Sequence, residues 1–250
     1  VYLRHDLSRD RALFKGLRST LSFHQSDETR KKHKSGSETL ITENDRVRSF
    51  GFNMEGRTFF SSRWKGVTGG DIYHDLIHSK AQALHLSTGK DSTTRGLYPE
   101  SSSLTNVSLF TLQSYHLGKL DMSAGIRYNF FQIDLVDNMF SDLRLKTAAF
   151  VGSATVSYEI IRNTRLSFQL GNAFRAPNIN DVSSFGIADF RFEVPNLDLA
   201  PEKSLNKELG IKTDQTYYSA SLHVYHNKLT DLISNVKTTY EGQDSIDGVK

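Results

Sequence analysis

The chain has 250 residues, 37% of them hydrophobic and 24% charged, and its formal net charge is only +3. Basic residues scattered among acidic ones give no nucleic-acid footprint, and with no cysteine there can be neither a disulfide nor a thiolate metal ligand. No stretch approaches the roughly 18 consecutive apolar residues of a membrane-spanning helix. A β-barrel escapes that test, because its strands place apolar residues only at every second position.

In chain order, ten antiparallel strands are predicted. The first is a partial strand at Val1–Leu7, followed by Ala12–His24, Arg46–Phe60, Val67–Leu84, Leu104–Leu117, Lys119–Ile133, Thr147–Ile160, Arg165–Phe174, Ser204–Lys212 and Tyr217–Leu232. The clearest signal is KLDMSAGIRYNFFQID at Lys119–Asp134. Leu120, Met122, Ala124, Ile126, Tyr128 and Phe130 fall on one face and Asp121, Ser123, Gly125, Arg127 and Asn129 on the other. About ten residues of period two is the length of a tilted bilayer-crossing strand. The same alternation returns in Ala148–Tyr158, Arg165–Arg175 and Tyr217–Asn227, with arginine, glutamine and serine on the polar face.

The predicted connections sort by length. Those at Leu117–Lys119, Ile161–Thr164 and Thr213–Thr216 are short, whereas Gln25–Asp45, Leu86–Ser103, Leu135–Lys146 and Ala176–Lys203 read as long loops. Short turns at one end and long loops at the other mark an outer-membrane barrel with its long loops extracellular. The basic run Arg30–Lys34 reads as part of a solvated loop, and Gly69-Gly70-Asp71 as a turn signal. The chain opens at Val1 without a leader pattern and closes after the polar run Glu241–Asp247. One partial barrel domain over residues 1–250 is therefore expected, with two unpaired edges.

At Gly171 the sequence reads GNAFRAPNINDV, then VPNLDLAPEKSLNKELGIK, then YYSASLHVYHNKLTDLI. Together these resemble the late-barrel signature of TonB-dependent receptors: a Phe-Arg-Ala-Pro-like box, an extracellular loop, an Asn-Leu-x-Pro-Glu-like segment and a Glu-x-Gly-x-Lys-like strand. Upstream, Gly125, Arg127 and Tyr128 look like that family's Gly-x-Arg-Tyr motif. The resemblance implies an all-β, antiparallel up-and-down transmembrane barrel of about twenty-two strands, of which this chain supplies about ten. It also implies energy-coupled uptake of a scarce nutrient, a ferric siderophore or another iron source, across the bacterial outer membrane. Implied partners are outer-membrane lipid, the ligand at the extracellular loops, and the TonB complex acting through a plug domain that the chain does not contain. Haem-uptake members carry an iron-binding His between the two boxes; here none lies between Pro177 and Pro195.

Most of the motif residues read as structural. Phe174, Arg175, Ala176, Pro177 and Asn178 end a strand, since proline lacks a ladder donor and holds the preceding residue extended. Pro195, Asn196, Leu197 and Pro201 stiffen the return into the barrel, and Glu202 and Glu208 are expected to face arginines such as Arg175 or Arg165 across the inner wall. Candidate ligand contacts are aromatic or basic loop residues: Phe174, Arg175, Phe185, Phe190, Arg191, Phe192, Phe140 and Arg144. No metal or cofactor is predicted. His74 and His78 share a strand face but lie about 13 Å apart at the usual rise. No nucleophile elbow, P-loop or zinc-helix motif is present, so no enzyme is expected. Two rivals stay open: a passive porin or adhesin-type barrel, and a soluble all-β binding protein.

Overall fold

The computed structural model describes residues 1–8, 14–96, 98–136, 142–188, 191–196 and 198–245. Ten long strands follow one another as hydrogen-bonded antiparallel neighbours: β1 (Tyr2–Ser8), β2 (Phe14–His33), β3 (Thr39–Phe59), β4 (Trp64–His85), β6 (Ser101–Leu117), β7 (Leu120–Val136), β8 (Leu143–Ile161), β9 (Thr164–Arg175), β12 (Glu202–Asp214) and β13 (Ser219–Thr230). A short β5 (Asp91–Thr94) pairs with β4, and β1 and β13 are the sheet's two edges. The loop after β9 holds a one-turn helix α1 (Ile179–Ser183) and a small hairpin of β10 (Gly186–Ala188) and β11 (Arg191–Glu193). Among the described residues no helix is long and apolar enough to cross a membrane.

The two faces of the sheet invert the usual rule of folding. Over Leu120–Phe130 of β7 the exposed positions are apolar, including Ile126 at 53%, and on the adjoining stretch of β8 Phe150 is exposed at 66%. The polar face, with Asp121, Ser123, Arg127 and Asn129, is the more buried. A soluble sheet would turn Ile126 and Phe150 inward to remove them from water, so the exposed apolar band needs lipid as its solvent. From Leu120 to Phe130, ten steps at about 3.4 Å and a tilt near 45° rise about 24 Å, the height of a bilayer's hydrocarbon band. Aromatic pairs lie near both rims: Phe23 with Phe50 at 5.2 Å and Tyr128 with Phe150 at 4.8 Å toward the long loops, and Phe60 with Trp64 at 4.6 Å beside a short turn.

Beyond the upper rim the alternation reverses. Gln132 and Asp134 continue the outward face of β7, while Ile133 and Leu135, each 4% exposed, continue the inward one. They pack with Val182 of α1, joined by Leu104, Leu143, Leu145, Ile179 and Leu199. Water replaces lipid outside the wall at this height, so an ordinary apolar core forms inside it. This cluster holds the loop after β9 against the inner wall.

Several local expectations are corrected. Gln25–Asp45 is not a long loop: β2 and β3 pair without a break from Gln25↔Arg48 to His33↔Leu40. The run at Arg30 lies on strand β2, with Arg30 hydrogen-bonded to Asp45 at 2.5 Å and Lys32 to Glu43 at 3.0 Å. These cross-strand ion pairs line the inward face of the hairpin, where Glu43 is buried, in place of apolar side chains. Gly69-Gly70-Asp71 is not a turn but the middle of β4. A Cβ on Gly69 would stand 2.4 Å from the Met54 carbonyl oxygen, so close backbone approach is what requires glycine there. Left-handed backbone occurs instead at Gly118 and Asn163, in the short turns β6–β7 and β8–β9.

Candidate functional site

The inner wall near the upper rim contains a cavity of about 430 Å³, lined by Leu104, Arg127, Asn129, Phe131, Val151 and the run from Ala173 to Asn178. It exists because β8 and β9 separate. Their pairing runs from Ile161↔Thr164 only as far as Ser153↔Gly171, after which β8 continues with β7 to Leu143 and β9 continues with β12 to Arg175. At the fork the Asn172 amide replaces the missing backbone ladder: its Nδ2 donates to the Phe150 carbonyl at 3.2 Å and its Oδ1 accepts from Gly152 N–H at 2.7 Å. Phe174 turns into the wedge and meets Phe131 edge-on at 5.6 Å.

Two arginines border this aromatic wedge, each held by carboxylates. Arg127 donates to both oxygens of Asp71 at 3.0 and 2.8 Å and to Asn129 at 2.7 Å, and its guanidinium lies 5.4 Å from the Phe110 ring centroid. Both Asp71 contacts come from the one nitrogen Nη2, and Asp71 is 6% exposed, so this is a partly desolvated, charge-assisted pair. Arg175 bonds Glu202 through two nitrogens at 2.9 and 3.1 Å and Asp181 at 2.7 Å. Glu202 and Asp181 together push the Arg175 guanidinium above its ordinary range; Arg175 and the Ile233 N–H hold the Glu202 carboxyl below its own.

Asn178 joins the same network as the N-cap of α1. Its side chain accepts from Asp181 N–H while Asp181 accepts from Asn178 N–H, both at 2.9 Å, closing a reciprocal capping box. The FRAPN run therefore does three jobs in sequence: Phe174 fills the wedge, Arg175 ties β9 to β12 and α1, and Pro177 and Asn178 stop the strand and start the helix.

The remaining candidates divide. Phe185 contacts Phe192 at 5.3 Å and Tyr240 at 5.5 Å, and Arg95 from the loop after β5 lies 5.5 Å from the Phe185 ring centroid. Arg191 is exposed beside them on β11. Phe192 is thus grouped with Phe185 in the loop, and among the described residues Arg191 is its neighbour on β11 with no contact to that group. Arg144 does not join either group: it sits on the outward face of β8 and pairs with Asp134 of β7. Phe140, Phe190 and Leu197 lie outside the described residues. Pro195, Asn196 and Pro201 lie on the path from β11 to β12, where Asn196 accepts from Asp198 N–H at 3.1 Å. Gly125 faces inward, where an added Cβ would stand 3.1 Å from Leu112, and Tyr128 faces outward in the rim pair.

The expected carboxylate–arginine pairing holds for Glu202 but not for Glu208. Glu208 stands opposite Gln169 and bonds His223 at 2.8 Å, while Arg165 bonds Asp121 at 2.5 Å two strands away. Register decides this, because Arg165 lies opposite Lys212, four residues along β12 from Glu208. Asp71, Asn129 and Phe131 were not recognisable as site residues in the sequence. Asp71 and Arg127 are 56 residues apart, and only strand order brings them together.

Residues 1–247 match the family model described as TonB dependent receptor-like, beta-barrel. The chain belongs to that family. Solved structures agree on the fold. The copper transporter OprC superposes with a TM-score of 0.78 at 14% identity over 92% of this chain and 38% of that one. The Serratia marcescens hemophore receptor HasR, solved with its hemophore HasA and heme, gives 0.71 at 15% over 91% and 39%. The ferric citrate transporter FecA gives 0.69 at 12% over 95% and 35%. This TonB-dependent receptor chain therefore spans less than two fifths of the length of those proteins.

Proposed function

We propose that this chain forms the ligand-facing wall and loops of a receptor that takes up an iron complex, such as a ferric siderophore, across the bacterial outer membrane under TonB control. The observation that carries the reading is the wedge cavity. It opens on the inner wall at the level where the long loops begin, and its surface combines the Phe131–Phe174 aromatic pair with the edges of two clamped guanidiniums. Aromatic faces suit the flat chelating rings of many iron carriers, and guanidinium N–H groups suit their carboxylate or hydroxamate oxygens. Several fold neighbours are iron-uptake proteins, which supports an iron source, among them the ferric yersiniabactin uptake receptor FyuA from Yersinia pestis, at 15% identity and a TM-score of 0.62 over 87% of this chain and 33% of that one.

The loop residues Phe185, Arg191 and Phe192 are assigned a gathering role above the cavity, with Phe174 and Arg175 at its floor. The test uses the complete receptor in a strain lacking its own iron-carrier receptors, with radioiron uptake measured across a panel of siderophores. Uptake of one of them that stops when TonB is deleted is the expected result. Phe174→Ala and the double change Arg191→Ala with Phe192→Ala should each weaken binding of that siderophore. Uptake that persists without TonB would mean a passive barrel, and unchanged binding in both variants would remove these residues from the site.

A further inference from the structure

The charges around the wedge cavity do not cancel. Arg127 is paired with Asp71, and Arg175 with both Asp181 and Glu202. Asp75 adds a further carboxylate. It stands opposite Leu104, which lines the cavity, and has no cationic partner among the described residues. Lys203, opposite Phe174, brings no compensating charge, since it lies 3.7 Å from Asp231. Two guanidiniums therefore meet four carboxylates, and the wedge has a negative excess.

The donors of the wedge are also engaged. Arg175 directs all three of its nitrogens at carboxylates, while Arg127 gives Nε to Asn129 and Nη2 to Asp71. An acceptor is left over instead: Asn106, opposite Phe131 in register, has a buried Oδ1 with no hydrogen-bond donor. A ligand that brings negative charge and only acceptors is thus the wrong complement. One that is uncharged, or that carries a donor cation, is the right one.

We infer that the wedge discriminates among ferric complexes by charge, and that its ligand is a ferric trihydroxamate, neutral or bearing one free ammonium. Three singly ionised hydroxamates cancel the charge of ferric iron, whereas three doubly ionised catecholates leave a trianion. Repulsion between that trianion and the wedge survives in salt, because a separation of about 8 Å is only one Debye length. The neutral complex meets Phe131, Phe174 and Val151 without this cost. An ammonium on its tail is matched by the unpartnered Asp75 carboxylate and by Asn106 Oδ1. The inference rests on the uptake reading and narrows it from iron complexes in general to one charge class.

The test measures binding to the complete purified receptor by isothermal titration, with ferrichrome as the neutral trihydroxamate, ferrioxamine B as the cationic one and ferric enterobactin as the trianion. At least one trihydroxamate should bind at least about fivefold more tightly than the trianion, the factor expected for two excess charges at about 8 Å in screened water. Asp75→Asn and Ala173→Lys, on different strands, each make the wedge one charge less negative. Each should tighten ferric enterobactin about threefold relative to ferrichrome in the same variant. Added salt should narrow the wild-type preference. General damage to the site would weaken both complexes alike, so the ratio reports charge. Tighter binding of the trianion by the wild type, or an unchanged ratio in both variants, overturns the charge selection. Binding of none of the three overturns the trihydroxamate assignment, and the uptake reading falls with it only if the wider panel of iron complexes also fails.

Discussion

Replacing Ile126 by arginine separates a lipid-facing wall from a water-facing one. Ile126 is outward and 53% exposed, and it lies one residue from the midpoint of the Leu120–Phe130 band. On a soluble protein a half-exposed position of this kind tolerates a charge within about 0.5 kcal/mol. At the bilayer midplane of a barrel the same change costs about 2–4 kcal/mol, falling to about 0–1 near the interface. Gln132 is the internal reference. It shares the strand and the face, lies six residues higher, about 14 Å at the tilt used above, and bonds Asp134, a partner that arginine would keep. Gln132→Arg should therefore change stability by less than about 1 kcal/mol. Reversible urea unfolding in phospholipid vesicles, followed by tryptophan emission, measures both. Equal effects at the two positions, or none at Ile126, would refute the placement of the band.

Other outcomes follow from the wedge and the inner wall. Arg127→Ala leaves the Asp71 carboxylate, 6% exposed, without its cationic partner; a double-mutant cycle with Asp71→Ala should give a coupling of about 1–3 kcal/mol in unfolding experiments. Asn172→Leu removes the amide that replaces the ladder at the β8–β9 fork. Where lipid offers no hydrogen bonds it should cost about 1–3 kcal/mol and speed hydrogen exchange at Gly152. The third outcome concerns acid. Because Arg175 holds the folded-state pKa of Glu202 below its ordinary 4.5, the stabilisation is complete above about pH 4.5 and is lost as pH falls through the lowered value. Protease cleavage in the loop at residues 176–201 should rise over that acid range in the wild type, and Glu202→Gln should show the high cleavage already at neutral pH.

The period-two pattern of Lys119–Asp134 was enough to place β7, its two faces and its apolar band, because a strand between lipid and an aqueous lumen must sort its side chains residue by residue. The short connections at Leu117–Lys119 and Ile161–Thr164 were likewise legible, and the structure closes them with left-handed backbone at Gly118 and Asn163. The same argument explains the failures. Above the band the inward face of β2 and β3 is held by ion pairs and the outward face is polar too, so Gln25–His33 and Thr39–Asp45 show no apolar alternation and read as a loop. Gly69-Gly70-Asp71 read as a turn because crowding by the Met54 carbonyl comes from another strand.

The FRAPN run could be read in the sequence as a strand end, and its family resemblance is confirmed by the match over residues 1–247. The wedge beside it could not be read. It depends on β8 and β9 leaving each other at Ser153↔Gly171 while each keeps its other neighbour, and on Asp71 reaching Arg127 across two strand pairings. Local sequence determines which residues face lipid, since that solvent acts on every residue of a strand. Which inner-wall residues meet is set by register summed over several strands, and only the folded sheet contains that sum.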